Sequence, residues 1–285
     1  MNRRDLHKTL LAIAGSGLVA KAEAVRHSRL HAGVVAYSFR KQLASHTMTY
    51  DDLIHLASDC GLDGIDTTAY WFPDQSSAFL GGLRTTAYRN GIQLYSLGVR
   101  IRLCQPTPAL QAAEVENCKK WVDIAERIGA GHVRVFGGTA PKGASEQQAI
   151  AWAVEVLKHC AEYSAGKGII IGVEDDGGLT TTAEPTVAIV KQADTPFAGI
   201  NLDTGNFPEN GYAQVALAIP YATNVHFKVQ ISDQNGNKIR ADWPRLAAMF
   251  RSGGYKGFLS LEYEEAGDAK TAVPPLLAEL TRVVA

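Results

Sequence analysis

With 285 residues, 46% hydrophobic side chains and 20% charged ones, the chain has an ordinary globular composition. It holds enough apolar material to bury a core without disulfides or a structural metal. Twenty-eight lysines and arginines against twenty-nine aspartates and glutamates leave a formal charge of −1, which gives neither nucleic acid nor anionic lipid an electrostatic reason to bind.

The first residues read as an address rather than as part of a domain. Asn2-Arg3-Arg4-Asp5-Leu6-His7-Lys8 sets an arginine pair before an apolar run, Leu10 to Ala20. That run is short for a membrane span, which needs roughly 20 apolar residues. Ala20-Lys21-Ala22 and Ala22-Glu23-Ala24 both fit the small-x-small pattern of a cleavage site. Residues 1–24 therefore resemble a twin-arginine export signal, with Leu6 and Lys8 where that pattern places them. The resemblance implies a periplasmic protein, exported already folded, with no membrane span in the mature chain. An amphipathic helix docked on the domain and an uncleaved anchor are the alternatives.

From about residue 32 onward, β-branched runs alternate with longer stretches of helical spacing. The runs are Gly33–Phe39, Gly64–Thr68, Ile92–Leu97, His132–Phe136, Ile169–Glu174, Gly199–Asp203, Asn224–Lys228 and Phe258–Glu262. Tyr50–Cys60, Leu110–Ile128, Gln147–Tyr163 and Pro185–Ala193 are among the helical stretches between them. Glycine follows many of these, as in Cys60-Gly61, Asn90-Gly91, Ile128-Gly129, Lys167-Gly168 and Gly253-Gly254, where a left-handed residue closes a helix. Such alternation predicts parallel strands with helical crossovers. Eight strands in this length predict an α/β fold, a single (β/α)8 TIM barrel over residues 32–285. A doubly wound open sheet is the rival, but Phe39-Arg40-Lys41-Gln42 carries no glycine-rich nucleotide turn after the first run. Of the four cysteines, Cys60, Cys118 and Cys160 fall in helical stretches and Cys104 in a loop, with no Cys-x-x-Cys among them. Buried free thiols are expected, although an oxidising compartment leaves a disulfide open.

Side chains on a strand alternate between faces, so each run can be sorted. In the fifth to eighth runs Glu174, Asp203, His226 and Glu262 share parity with small or polar neighbours: Gly172, Asn201, Lys228 and Ser260. The opposite faces, Val173 and Ile171, Leu202 and Ile200, Val225 and Phe227, Leu261 and Leu259, are wholly apolar and suit packing under the outer helices. The four polar residues then point into the barrel at the C-terminal rim, where sites of this fold lie. A lone glutamate at a strand end is usually a solvated rim residue, and a lone histidine a core one. Four on successive strands with matching parity are harder to obtain by chance. Three carboxylates confined in one low-dielectric mouth need a cation, and no basic residue in these strands could neutralise them all. Imidazole beside carboxylates suits one divalent ion, Mn²⁺ first, with Mg²⁺, Co²⁺ or Fe²⁺ as alternatives.

With these residues in place, the chain from about Gly33 to its C-terminus resembles the sugar phosphate isomerase/epimerase family of xylose isomerase-like TIM barrels. The motifs that carry the resemblance are Gly172-Val173-Glu174, Leu202-Asp203-Thr204-Gly205-Asn206, His226-Phe227-Lys228 and Leu261-Glu262. It implies that Glu174, Asp203, His226 and Glu262 bind one metal ion and that the two glutamates also move protons. Asp66 resembles an acidic residue often found at the end of the family's second strand. The family's Glu-Asn-His-Gly-Gly is replaced by Glu174-Asp175-Asp176-Gly177-Gly178. Asn206 stands where the ketose 3-epimerases carry histidine, and the aspartate usual after His-x-Lys is Val229. These departures spare the metal ligands but leave the familiar substrates unsupported. The endonuclease branch needs three zinc ions and more histidines at strand ends than this chain has.

The expected chemistry is proton transfer at a carbon beside a carbonyl of a sugar or keto-sugar, through an enediolate. Glu174 and Glu262 are the expected acid and base. Lys228 is either a donor to an oxyanion or a rim lysine in solvent. Arg134 either binds a substrate oxygen or pairs with Asp66. Tyr70 and Trp71 could stack on a sugar ring or merely pack over the mouth, and Asp66 and Asn206 complete the expected substrate contacts. An isomerase or epimerase is expected first, and a lyase opening 3-keto-glycosides by elimination second. The different-class rival is a non-catalytic sugar-binding barrel. A periplasmic location favours free sugars or glycosides over phosphorylated intermediates, and nothing in the sequence opposes a homo-oligomer.

Overall fold

The structure, a computed structural model, describes residues 30–285; the export segment expected over residues 1–24 lies outside them. The β-branched runs become strands β1 (Leu30–Val35), β2 (Gly64–Thr68), β3 (Gln93–Arg102), β4 (His132–Phe136), β5 (Ile170–Glu174), β6 (Ala198–Asp203) and β7 (Ala222–Lys228). A hairpin of β8 (Gln230–Ser232) and β9 (Lys238–Arg240) follows, and then β10 (Gly257–Glu262). Strands β1 to β7 and β10 close in parallel register, with β10 hydrogen-bonded to β7 on one side and β1 on the other. This is a single (β/α)8 TIM barrel.

The outer layer consists of α1 (Arg40–Ala44), α2 (Tyr50–Asp59), α3 (Ser77–Arg89), α4 (Pro108–Ile128), α5 (Glu146–Ala165), α6 (Ala183–Ala193), α7 (Gly211–Ala218), α8 (Trp243–Ser252) and α9 (Ala269–Val284). Their ends are set by local chemistry. Capping boxes start α2 and α5: the Thr49 and Ser145 side chains accept from Asp52 N and Gln148 N, and those partners bond back. Gly129 ends α4 in the left-handed region at φ 84°, a conformation that costs a residue with a Cβ about 1–2 kcal/mol. Gly61, Gly91, Gly168 and Gly254 also have positive φ, whereas Gly253 stays right-handed at −76°.

The strands' apolar faces pack beneath these helices. Val133, Val135, Ile171, Val173, Ile200, Leu202, Val225, Phe227, Leu259 and Leu261 are fully buried there. At the base of the barrel interior Tyr95 stacks on Phe258 with ring centroids 3.7 Å apart. Above that plug lie buried Ser96, His132, Asn201, Asn224 and Ser260, and the rim residues come next. All four cysteines are free: Cys104, Cys118 and Cys160 are buried, and Cys60 is half-buried. No helix among the described residues is long and apolar enough to cross a membrane.

Three elements differ from the sequence expectation. The first run splits into β1 and a 3-10 turn over Ala36–Phe39, because Ser38 Oγ donates to Leu261 O and accepts from Tyr263 N, tying the turn to β10. Strand β3 continues five residues past Leu97 to Arg102. The hairpin β8–β9 had no expected counterpart; its turn forms around Asp233, which accepts from Asn235 N and Asn237 N.

Candidate metal centre

Strand register brings the rim residues together. Asp203 lies opposite His226 across β6–β7, Lys228 opposite Glu262 across β7–β10, and Glu174 opposite Asn201 across β5–β6. One ligand atom from each of Glu174, Asp203, His226 and Glu262 lies within 4.8 Å of all the others, and all four residues are buried. His226 Nδ1 stands 2.9 Å from a Glu174 oxygen, 3.5 Å from one of Glu262 and 4.0 Å from one of Asp203.

The donor set fits one divalent cation. His226 Nδ1 and Asp203 Oδ2 are buried and have no aligned hydrogen-bond partner among the described residues. Native structures rarely leave such atoms unsatisfied. Opposite ligands of a small divalent ion stand about 4.2 Å apart, so a spread of 4.8 Å needs only a few tenths of an ångström of closure. Neighbouring groups fix the ligands. His226 Nε2 lies 3.0 Å from Asp66 Oδ2, leaving Nδ1 as the inward atom. Asn224 donates to Asp66 at 2.6 Å and to Asn201 at 2.7 Å, and Asn201 donates to Glu174 at 3.2 Å. The free Oδ1 of Asp203 accepts from Gly205 N, while Asp175 accepts from Asp203 N at 2.7 Å.

The electrostatics show what the protein substitutes for an ion. Burial pushes the Asp203 carboxyl up to about 8; Lys228 and His226 pull it back, while Glu262 and Glu174 add to the rise. Burial alone would depress His226, but the charge of Glu262, the bond to Asp66 and the adjacent Glu174 carboxylate outweigh it and hold the imidazole well above its ordinary range. Burial opposes ionisation of Glu262 too, yet Lys228 and His226 hold it well below the usual carboxylate range. The cluster thus retains protons where a cation belongs. A metal ion would displace them.

Lys228 is not a rim lysine in solvent. It is buried, 2.7 Å from Glu262 and 3.2 Å from Asp203, and it also pairs with Glu264. Those three carboxylates overcome the effect of burial and hold it well above its usual value. Arg134 does not pair with Asp66. Its Nε lies 3.3 Å from Glu174, and its Nη1 donates to Tyr70 Oη at 3.0 Å and to Val99 O at 3.2 Å. The long guanidinium lies across Gly98, where a Cβ would meet Arg134 Nη2 at 2.8 Å and force it to shift. Asp66, expected against substrate, lies beneath His226 instead and is 1% exposed.

A cavity of about 290 Å³ opens over the cluster. Glu174, Glu262, Lys228, Arg134, Tyr70, Trp71 and Asn206 line it, as expected for the rim. Tyr37, Arg100, Arg102, Phe136, Asp176 and Glu264 also line it, and sequence reading assigned none of these to the site. Tyr37 packs on Trp71 with centroids 5.7 Å apart, so aromatic faces form one wall. Burial and the charge of Glu174 push Asp176 up to about 6. Asp176 follows Glu174 in Glu174-Asp175-Asp176-Gly177-Gly178, and its place was the signal available from the sequence.

Known proteins share this architecture. The family model described as xylose isomerase-like TIM barrel matches residues 54–281. No curated protein sequence matches the chain. Among solved structures, D-psicose 3-epimerase from Clostridium cellulolyticum H10 superposes with a TM-score of 0.70 at 17% identity, over 89% of this chain and 96% of that one. The probable 3-DHS dehydratase of Bacillus anthracis gives 0.68 at 15% identity, over 89% and 98%. A xylose isomerase domain protein from Planctomyces limnophilus gives 0.67 at 14%, over 90% and 96%. At such identities the likeness is one of fold.

Proposed function

We propose, on the premise that the chain belongs to the xylose isomerase-like TIM barrel family, that it is a metal-dependent isomerase or epimerase of a sugar or keto-sugar. The observation that carries this reading is the convergence of Glu174, Asp203, His226 and Glu262, with His226 Nδ1 and Asp203 Oδ2 buried and lacking an aligned hydrogen bond. These four residues would hold a divalent ion, which would supply Lewis acidity toward a substrate carbonyl.

The protein's own groups supply the rest. Along the arc β10–β7–β6–β5 the two glutamates occupy the ends, so they approach a substrate from different sides. Glu262 stays ionised beside Lys228 and His226 and takes the proton from carbon, whose bonding pair becomes the enediolate double bond. Glu174, held by Arg134 and Asn201, takes up a proton from water and passes it to the same carbon from the other side, or to its neighbour with the hydroxyl proton moving between the two adjacent oxygens. Positioned acid–base groups of this kind contribute about 10²–10⁴-fold to rate. Trp71 offers a face for a sugar ring and Asn206 a hydrogen bond at the rim, while Arg100 covers one face of Tyr70. The psicose 3-epimerase structure was determined with D-tagatose, in accord with a sugar in such a cavity.

A second reading is elimination from a 3-keto-glycoside, in which the same enediolate expels a group one carbon further along. The dehydratase among the structural relatives favours it, since dehydration is elimination. Both readings are tested by incubating Mn²⁺-loaded protein in D₂O with keto-sugars and 3-keto-glycosides. Deuterium is expected at the carbon beside the carbonyl, and Glu262→Gln should abolish its entry. Release of free aglycone identifies the lyase. Binding without any exchange identifies a non-catalytic sugar-binding barrel and ends the proton-transfer proposal.

Export to the periplasm is proposed on residues 1–24 alone. Replacing both Arg3 and Arg4 by Lys should hold the chain in the cytoplasm; recovery of that variant from the periplasm removes the proposal.

A further inference from the structure

We infer that the substrate carries an anionic group, a carboxylate or a phosphate, received by Arg100 and Arg102 on the β3 wall of the cavity. The inference rests on the proposed sugar-binding function and narrows its substrate class.

Four cationic side chains line the cavity: Arg100, Arg102, Arg134 and Lys228. Two are already engaged. Arg134 faces Glu174, and Lys228 is shared among Asp203, Glu262 and Glu264. Among the described residues no carboxylate pairs with the side chain of Arg100 or Arg102. Both residues are exposed, so their charges pay little desolvation. They are nonetheless positioned. The Arg100 guanidinium lies over the Tyr70 ring at 4.0 Å, a stack that immobilises the plane while leaving its N–H edges available. Arg102 is fixed through its backbone, whose N donates to Glu114 at 2.6 Å and whose O accepts from Gln105 at 2.9 Å.

Two unpartnered guanidinium groups on one cavity wall repel each other, and an oxyanion relieves that repulsion while accepting paired N–H bonds. Three of the four carboxylates lining the cavity, Glu174, Glu262 and Glu264, are gathered at the other charged centre, around His226 and Lys228. A ligand matching both ends therefore has neighbouring oxygens at one end and a negative group at the other: a sugar acid or a sugar phosphate.

The test compares D-fructose, D-fructuronate and D-fructose 6-phosphate on Mn²⁺-loaded protein by calorimetry at low salt, with deuterium exchange followed in parallel. At least one anion should bind at least tenfold more tightly than fructose. The preference should weaken with added NaCl. Arg100→Gln/Arg102→Gln should remove at least tenfold of it, and Arg100→Lys/Arg102→Lys should keep part, having the charge without the fork. A rise in melting temperature on Mn²⁺ addition shows that each variant is folded and loaded. A carboxylate is the group if fructuronate carries the preference, and a phosphate if fructose 6-phosphate does. Fructose binding as tightly as both anions, no binding of any of the three, or a preference unchanged in the Gln variant overturns the inference. If an anion binds through the arginines and no deuterium enters, the subsite stands and proton transfer fails.

Discussion

At the residue scale the account depends on where one imidazole proton sits. Asp66 accepts from His226 Nε2, so the lone pair on Nδ1 is left for a cation. Asp66 is itself held low despite burial by its bond to His226, so it remains a charged acceptor. Loss of a partner that orients a metal-bound histidine typically costs 10–100-fold in affinity. Asp66→Asn should accordingly weaken Mn²⁺ binding by about that factor while the fold persists, read by calorimetry and circular dichroism. Unchanged affinity would show that the Asp66 bond does not orient the ligand. The metal ligands were legible because parity along four runs sorted them onto one face. Asp66 was legible as a residue but not as an orienting one, because a strand pattern cannot say that its side chain reaches past β1 and β10 to β7.

At the element scale the informative case is β3. The expected run stopped at Leu97, one residue before Gly98, and glycine weakens a strand. The glycine is there for Arg134, whose guanidinium lies across it. The same misjudged boundary hid Arg100 and Arg102 from the site. Gly98→Val would place a branched side chain against Arg134 Nη2. Overpacking of that kind costs about 1–3 kcal/mol. The variant should melt lower and lose at least tenfold in exchange activity as Arg134 leaves Glu174. Wild-type activity in Gly98→Val would show that the Arg134–Glu174 contact is dispensable. Helix boundaries were more legible, because capping residues and closing glycines act locally. The hairpin β8–β9 was not, although Asp233-Gln234-Asn235-Gly236 carries turn residues; three-residue strands leave too short a pattern.

At the scale of the whole molecule, stability and metal loading are linked through protons. Asp203 titrates at about 8 in the fold against an ordinary 3.8, and His226 well above 6.5. Between pH 6.5 and 9 the folded state therefore binds more protons than the unfolded one, and stability falls as pH rises. His132, pushed down to about 4 by burial, works the other way only near pH 6.5, where the unfolded imidazole still holds part of its proton, and Glu262 acts only below its ordinary 4.5. Metal-free protein should thus melt lower at pH 9 than at pH 6.5, and saturating Mn²⁺ should reduce the difference. A metal-free melting temperature that rises across this window contradicts the sign.

The most direct test is titration of metal-free protein with Mn²⁺ at neutral pH. The account predicts one ion per chain, with binding lost in Asp203→Asn and in His226→Ala. No saturable binding by the wild type, or binding that both variants retain, would contradict it.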